Sequence, residues 1–320
     1  MLKELKFVQG AVAKKQFIPE LAHFKIEDGT IRGYNGSLAL SSPIDLDIDC
    51  IPKAAPFVKA ISNCKETVSM HLTTTGRLAI RSGSFKAFID CFEADESASA
   101  HVVPEGEEIE INGDALLKAL KTVQPFISTD ASRPWSNGVL LRGQSAYATN
   151  NVSMVEYWMG FNIPIEINIP RNAVNEILRI NEAPIAMQCT DKSISFHFPD
   201  GKWIRSNLLD LDWPDIERIL SAPSNPEPLD TRIFEGLDVV KPFTDDLGRV
   251  YLNGGAVKTT LIEGEGASYE IENFTVEGVY QLHILSLLKD TATSIDWSLY
   301  PKPCIFYGDR LRGALVGMKI

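Results

Sequence analysis

The chain has 320 residues, a net charge of −11, 44% apolar residues and 23% charged residues. This balance is ordinary for a globular protein and excludes a disordered composition. No apolar run reaches the roughly 18 residues of a membrane-spanning helix, and the N-terminus lacks a signal-peptide pattern. The five cysteines form no Cys-x-x-Cys pair, so we predict free thiols and a cytoplasmic location.

The first predicted element is a helix over residues 2–15. Leu5, Val8 and Val12 recur on one face of this segment with helical spacing. The Asp-Gly pair at 28–29 then predicts a hairpin between two short strands.

Residues 44–49 alternate apolar residues with aspartates, which predicts a strand with its carboxylates on the solvent face. A solvated strand face is the better interpretation of this acidic row than a metal site. A helix at 53–65 and strands at 68–72 and 77–80 follow. The acidic segment 93–108 is predicted to be a linker.

The rest of the chain repeats this order of elements twice, with a proline-rich linker at 221–228 between the repeats. The second part predicts a strand at 109–111, a helix at 114–124, strands at 139–142, 145–149 and 154–159, a helix at 171–180, and strands at 185–189, 193–198 and 203–208. The third part predicts a helix at 232–241, strands at 248–252, 256–262 and 268–272, a helix at 281–290, and a strand at 311–320.

Two of the predicted helices are copies of each other. The helix after Pro170 resembles the one after Pro52, 118 residues earlier, and Val279 opens a fainter third copy. The period of about 110 residues exceeds the roughly 20–50 residues of solenoid repeats, so each copy is a domain. We predict an α+β protein with three tandem domains, each with two helices packed on antiparallel sheets, over residues 1–104, 105–224 and 225–320.

Positive charge is concentrated in the predicted helices. Six helical windows hold 14 Lys and Arg against 7 Asp and Glu, whereas the remainder holds 17 against 35. The net acidity argues against nucleic-acid binding, but basic helices on an acidic body favour sequence-independent attraction to phosphates. Lysines placed on amphipathic helices for solubility alone explain the same distribution equally well.

Several segments resemble one known family in a shared order. Trp-Ser-Asn-Gly-Val-Leu-Leu at 135–141 resembles an aromatic–Leu–Asn–Gly strand opening, and Ala-Tyr-Ala-Thr-Asn at 146–150 resembles an Ala-Thr-Asp strand end. Ile-Pro-Arg at 169–171 resembles a Val-Pro-Arg helix start, and Asp-Trp-Pro-Asp at 212–215 resembles Phe-Pro-Asp. The ending at 316–320 resembles Met-Pro-Met-Arg-Leu. Over essentially its whole length, the chain resembles the bacterial DNA polymerase III beta subunit, the sliding clamp.

The resemblance implies a non-catalytic processivity factor of the bacterial cytoplasm that needs no cofactor. Two copies would join head to tail in a closed ring around duplex DNA, with the basic helices facing the DNA. Matching positions and helix phase together give the expected DNA contacts Lys15, Lys53, Lys118, Lys121, Arg133, Arg171 and Arg179. The expected seam between the copies involves Ala87, Phe88, Ile89, Pro242 and Phe243.

The resemblance also implies an apolar cleft that binds short peptides of the polymerase and the clamp loader. The matching positions are Trp135, Thr149, Val152, Met154, Ile219, Leu220, Tyr280, Leu315, Val316, Met318 and Ile320. One segment departs from the family, because Asp-Gly-His-Arg-Leu is replaced by Asn-Asn-Val-Ser-Met at 150–154. The cleft rim therefore loses a histidine and an arginine, so a different peptide motif is expected.

A second departure is that the chain begins at the helix, where the family has a preceding strand. The missing strand, the short length and the altered cleft favour a member from a phage or mobile element, acting in the cytoplasm of an infected host. Scattered histidines, with no His-Glu-x-x-His or Gly-x-Ser-x-Gly pattern, argue against an enzyme. The alternative to a clamp is a β-rich structural phage protein, which would not need duplicated basic helices.

Overall fold

The computed structural model describes residues 1–13, 18–93 and 102–319. Lys15, Ile320 and residues 94–101, which are half of the first predicted linker, lie outside the described residues. The chain forms two compact units. Unit 1 comprises Met1–Leu117 and Asn172–Leu208, and unit 2 comprises Lys118–Arg171 and Leu209–Ile320. The division into three tandem domains stays a prediction.

The helices are shorter than the sequence pattern predicts at several ends. They are α1 (Leu2–Val8), α2 (Ala54–Asn63), α3 (Gly113–Val123), α4 (Arg171–Ile180), α5 (Ile216–Leu220), α6 (Arg232–Val240) and α7 (Leu282–Ser286). The prediction of one helix over 2–15 is wrong in extent, because α1 gives way to a 3₁₀ turn at Gln9–Ala11. Among the described residues, no helix is long and apolar enough to cross a membrane.

The strands are all antiparallel to their neighbours. They are β1 (Lys25–Glu27), β2 (Thr30–Tyr34), β3 (Leu38–Pro43), β4 (Ser69–Leu72), β5 (Leu78–Ser82), β6 (Phe85–Ile89), β7 (Glu108–Glu110), β8 (Gly138–Thr149), β9 (Ser153–Pro170), β10 (Ala186–Cys189), β11 (Ser193–His197), β12 (Trp203–Asn207), β13 (Glu227–Pro228), β14 (Arg249–Asn253), β15 (Ala256–Lys258), β16 (Ser268–Glu270), β17 (Gly278–Gln281), β18 (Ser294–Ile295), β19 (Cys304–Gly308) and β20 (Leu311–Leu315).

Unit 1 contains a seven-stranded and a three-stranded sheet. The larger sheet has the order β1-β2-β3-β12-β11-β10-β7, so it joins strands from the first and second predicted copies. The joint is the pairing of β3 with β12, in which Leu40 lies opposite Ile204. The smaller sheet has the order β4-β5-β6. Helix α1 packs on β2 and β3 and buries Leu5 and Val8 completely.

Unit 2 contains a six-stranded sheet, β13-β18-β19-β20-β9-β8, and a four-stranded sheet, β16-β15-β14-β17. Strands β8 and β9 form a long hairpin whose register shifts on both sides of Gly143. Gly143 has φ 57°, a left-handed conformation that favours glycine. The two strands predicted at 139–142 and 145–149 are therefore one strand with an irregularity at its centre.

The predicted strand at 44–49 is wrong. Burial still alternates in this segment, but it has no strand ladder. The backbone is bonded near its ends, where Ile44 N–H donates to Gly29 O at 2.8 Å and Cys50 N–H donates to Ile26 O at 3.0 Å. Pro43, which ends β3, has no N–H to continue a ladder.

Three predicted strands in the last part are too long. The strand predicted at 268–272 ends at Glu270. The strand predicted at 256–262 ends at Lys258, because Thr259 Oγ1 accepts from Ala267 N–H at 2.9 Å and closes a hairpin loop. The strand predicted at 311–320 ends at Leu315.

The prediction of free thiols is confirmed, since none of the five cysteines is paired in a disulfide. Burial raises the pKa of the Cys50 thiol to about 12 and that of Cys189 to about 11. These thiols are therefore protonated near neutral pH, where a thiol is a poor nucleophile.

Candidate functional site

Helix α4 has the two faces that its sequence predicts. Val174 and Ile177 are fully buried, whereas Arg171 and Arg179 are exposed. The helix begins directly after β9, and Arg171 N–H donates to Asn137 O at 2.9 Å. The sequence pattern gave no indication that Glu176 would be buried, with 8% of its surface exposed.

A cavity of about 490 Å³ in unit 1 is lined by the cationic side chains of Lys6, Lys53 and Arg179. Its buried acid is Glu176, whose Oε1 accepts from Arg179 Nε at 2.8 Å. A Cβ on Gly10 would lie 1.7 Å from Glu176 Oε1, so the glycine leaves room for this carboxylate. Glu176 thus offsets part of the positive charge of Arg179.

A second cavity of about 440 Å³ in unit 1 is lined by Lys3, Lys6, Arg179 and Lys202. The Lys202 side chain is only 4% exposed, and its Nζ lies 3.6 Å from Glu182 Oε2. Within the described part of the chain, that Nζ has no hydrogen-bond partner. We call these two spaces the cation cavities.

Sequence reasoning missed three lysines of the cation cavities. Lys3 and Lys6 could have been found, because they lie on the polar face of α1 opposite Leu5. Lys202 gave no sequence signal, because it follows a 3₁₀ turn and precedes β12 without helical spacing.

The other predicted DNA contacts have different surroundings. Lys118 is exposed and lies 3.6 Å from Asp309 in an ion pair. Lys121 and Arg171 are exposed and have no ion-pair partner among residues 1–13, 18–93 and 102–319. Arg133 instead donates from Nη1 to Asn151 Oδ1 at 3.1 Å, on the rim of an apolar cavity in unit 2.

This cavity has a volume of about 280 Å³, and we call it the unit 2 cleft. Six of the predicted peptide-binding residues line it: Trp135, Thr149, Val152, Met154, Ile219 and Val316. The other lining residues are Arg133, Asn151, Ser153, Pro214, Pro303 and Ala314. The structure therefore brings together side chains that are far apart in the sequence.

The turn between β8 and β9 forms one rim of the cleft and depends on two asparagines. Asn150 Oδ1 accepts from Ser153 N–H at 2.7 Å and from Val152 N–H at 3.1 Å. Asn151 has φ 70°, a left-handed conformation that asparagine tolerates better than most residues. The departure at 150–154 thus keeps a tight turn without the glycine of the family pattern.

Helix α5 forms the opposite wall of the cleft. Ile216 and Leu220 on its inner face are buried in a core cluster with Met154. Before the helix, Trp213 packs edge-to-face on Trp135, with ring centroids 5.3 Å apart. Pro214 and Ile219 then line the cleft. The sequence pattern does not predict this helix, because five residues are too few to show a helical period.

Four predicted cleft residues do not line the cavity. Leu220 and Leu315 are 1% exposed, and Tyr280 is completely buried with its hydroxyl oxygen 3.4 Å from Cys304 Sγ. Burial raises the pKa of Tyr280. Met318 lies further along the chain, where its carbonyl accepts from Tyr300 Oη at 2.7 Å.

The predicted seam residues divide into exposed and buried ones. Phe88 and Phe243 are each 61% exposed, which is unusual for phenylalanine. Phe88 lies on β6, an edge strand of the three-stranded sheet, whose outer backbone groups have no partner strand among the described residues. Ile89, by contrast, is buried at 4% exposure and belongs to the core.

The fold is similar to that of solved structures, although the sequence identity to them is low. No protein-family model and no curated protein matches the sequence. The DNA polymerase sliding clamp of Bacillus subtilis aligns with a TM-score of 0.84 at 16% identity, over 100% of this chain and 97% of that one. A DnaN sliding clamp of Bartonella birtlesii bound to griselimycin gives the same TM-score, identity and coverage. So does the DNA polymerase III subunit beta of Pseudomonas aeruginosa. The chain therefore has the fold of bacterial DNA polymerase III beta sliding clamps.

Proposed function

We propose that this protein is a DNA sliding clamp: two copies close a ring around duplex DNA and tether a polymerase to it. The observation that carries the proposal is the full-length similarity to bacterial clamps, with a TM-score of 0.84. A clamp holds DNA by enclosure, so it needs no catalytic group and no cofactor.

The proposed DNA-facing residues are the predicted set together with Lys3 and Lys6. Three observations support them: Lys6 lines both cation cavities, Lys53 lines one, and Lys121 is exposed. Lysines and arginines of this kind attract phosphates whatever the base sequence, with an affinity that falls as salt rises. Arg133 is the weakest member of the set, because it is hydrogen-bonded to Asn151 on the cleft rim.

The proposed partner site is the unit 2 cleft, which would bind a short peptide of the polymerase or the clamp loader. Its support is an apolar lining, formed by residues such as Trp135, Met154 and Ile219, under a polar rim. A few buried apolar side chains are the usual anchors for a peptide in a groove. A clamp of the same fold is bound to griselimycin, and we propose the unit 2 cleft as the site for this compound on the present chain.

The proposed seam between the two copies uses the exposed phenylalanines. Phe88 of one copy would pack near Pro242 and Phe243 of the other. Support comes from the 61% exposure of both phenylalanines and from the edge position of β6. Pairing of edge strands between copies would also satisfy backbone groups that are otherwise open to other chains.

The first test is the molar mass of the purified protein by light scattering. A homodimer gives twice 35.4 kDa. The second test loads the protein on nicked circular DNA and then cuts the circle. A clamp stays on the circle and slides off the linear product, whereas equal retention on both would contradict enclosure. A trimer would contradict the proposed arrangement of the seam.

A further inference from the structure

Helix α5 is too short to be stable by itself. It has five residues, and isolated helices need roughly 12 to 15 residues to be even marginally stable in water. Its Ile219 nevertheless lines the unit 2 cleft. The geometry of that wall must therefore come from contacts with the rest of unit 2.

Two sets of contacts hold the inner face and the start of the helix. Ile216 and Leu220 are buried in the core cluster, and Trp213 packs on Trp135 before the helix begins. Asp215 caps the N-terminus, since its Oδ1 accepts from Arg218 N–H at 3.2 Å. Apolar contacts of this kind oppose separation of the helix from the sheet more strongly than they oppose sliding or rotation on it.

The outer face of α5 is tied to the sheet by Arg312 of β20. Arg312 Nη2 donates to both carboxylate oxygens of Glu217, at 2.9 and 3.2 Å. Ser221, which follows the helix, donates from Oγ to Glu217 Oε2 at 2.9 Å. Hydrogen bonds between two charged groups are shorter and stronger than neutral ones, and the bond from Ser221 further restricts the Glu217 carboxylate.

Arg312 is itself oriented by groups deeper in the sheet. Its Nε donates to Glu156 of β9, and Tyr147 of β8 donates from its hydroxyl to the other oxygen of that carboxylate at 2.8 Å. The Glu156 side chain is only 13% exposed and that of Arg312 30%. Burial and the Glu156 carboxylate raise the pKa of Tyr147, so its hydroxyl stays a donor. A continuous series of hydrogen bonds thus runs from β8 to α5.

We propose that Arg312 and Glu217 are positioning residues for the unit 2 cleft: they set the placement of α5, and with it the affinity for a peptide ligand. This inference rests on the proposed role of the cleft. Glu217 is 64% exposed, and exposed ion pairs contribute little to stability. Their loss should therefore change the position of Ile219 more than the stability of the fold.

The test compares two glutamate-to-alanine variants on helices of unit 2. Glu217→Ala removes the tie to Arg312, whereas the control Glu235→Ala on α6 removes one hydrogen bond, from Tyr269 at 3.1 Å. The probe is a fluorescein-labelled decapeptide, selected from a random library on the wild-type protein and lost on Val152→Asp. We expect the Kd of Glu217→Ala to rise about three- to fivefold, with unchanged melting temperature, and that of Glu235→Ala to stay at the wild-type value. Glu217→Gln, which keeps an acceptor, should recover part of the affinity.

A second readout reports the position of the wall directly. Incorporated 5-fluorotryptophan labels all five tryptophans, and single Trp→Phe variants assign the signals of Trp135 and Trp213. Glu217→Ala should shift these two ¹⁹F signals, while Glu235→Ala should not. A wild-type Kd for Glu217→Ala would overturn the positioning role. An equal loss of peptide affinity in Glu217→Ala and Glu235→Ala would overturn it as well. If no library peptide loses binding on Val152→Asp, the proposed cleft itself fails. The ¹⁹F spectra then still decide whether Glu217 positions α5.

Discussion

The cation cavities of unit 1 and the unit 2 cleft are built in opposite ways. The cavities depend on long side chains such as Lys3 and Lys6, and their one buried lysine has acidic neighbours. The cleft depends on two paired strands and on side chains packed into a common core. We therefore expect affinity for DNA at the cavities to be spread over several charges and to depend on salt, whereas affinity for a peptide at the cleft should be concentrated in a few contacts.

This contrast predicts that a single substitution abolishes function only where apolar contacts carry the affinity. Substitutions of the cationic residues should lower the affinity for DNA in proportion to the number of cations removed. Four sets of substitutions test this difference, and the largest effect is expected for the first.

The largest effect is expected for Phe88→Asp at the proposed seam between the two copies. This substitution tests whether one apolar side chain of unit 1 carries much of the dimer affinity. Central apolar residues of an interface are worth about 2 to 4 kcal/mol, so the dimer Kd should rise about 30- to 1,000-fold. Light scattering at micromolar concentration should then give 35.4 kDa. Ile185→Asp is the matched control, since Ile185 is also an exposed apolar residue of unit 1 at 54%. A dimer in both variants would show that the seam lies elsewhere.

The next effect is expected for Val152→Asp in the unit 2 cleft. A carboxylate in this apolar lining must lose hydration when a ligand covers it, so the Kd for griselimycin should rise about 100-fold. Val239→Asp is the control, because Val239 is 54% exposed on α6 of the same unit and does not line the cleft. The measurement is isothermal titration calorimetry. Unchanged binding in Val152→Asp would remove the cleft as the binding site.

A smaller effect is expected when two cations are reversed together, in Arg171→Glu with Lys118→Glu. Loading on circular DNA should fall about tenfold, and the slope of log affinity against log salt should fall by about 2. The dimer should remain, because neither residue belongs to the proposed seam. The control reverses Lys192 and Lys302, which lie outside the helices. Loss of the dimer would contradict the proposed position of these side chains.

The smallest effect is expected for Lys202→Met, which tests whether the buried cation stabilises unit 1. Methionine fills a similar volume, and Glu182 and Asp200 are 32% and 77% exposed, so both can be rehydrated. The free energy of unfolding by urea should change by less than about 1 kcal/mol. Leu5→Ala, a fully buried residue, should lose about 2 to 5 kcal/mol in the same assay. A loss of more than about 3 kcal/mol in Lys202→Met would show that its ion pairs hold the fold.

Much of the local structure could be predicted because it is encoded within short segments. The bounds of α4 match the prediction, since Pro170 precedes it and its apolar residues follow one helical face. Five residues of α5 were too few to show a helical period. The alternation at 44–49 is typical of a strand, although no strand in the described part of the chain pairs with it. Strand pairing depends on distant residues, so a period of two is necessary for it but not sufficient.

The sequence by itself determined the α+β fold class, the repeated order of elements, the free thiols and the resemblance to clamps. It also found six residues that line the unit 2 cleft. Only the tertiary structure decided that Tyr280 and Leu315 are buried. It also decided that the Glu176 carboxylate lies next to Gly10 and that Arg312 is hydrogen-bonded to Glu217 of α5. The physical reason is separation along the chain. Periodicity reports which face of an element is apolar, whereas Gly10 and Glu176 are 166 positions apart and Glu217 and Arg312 are 95 positions apart.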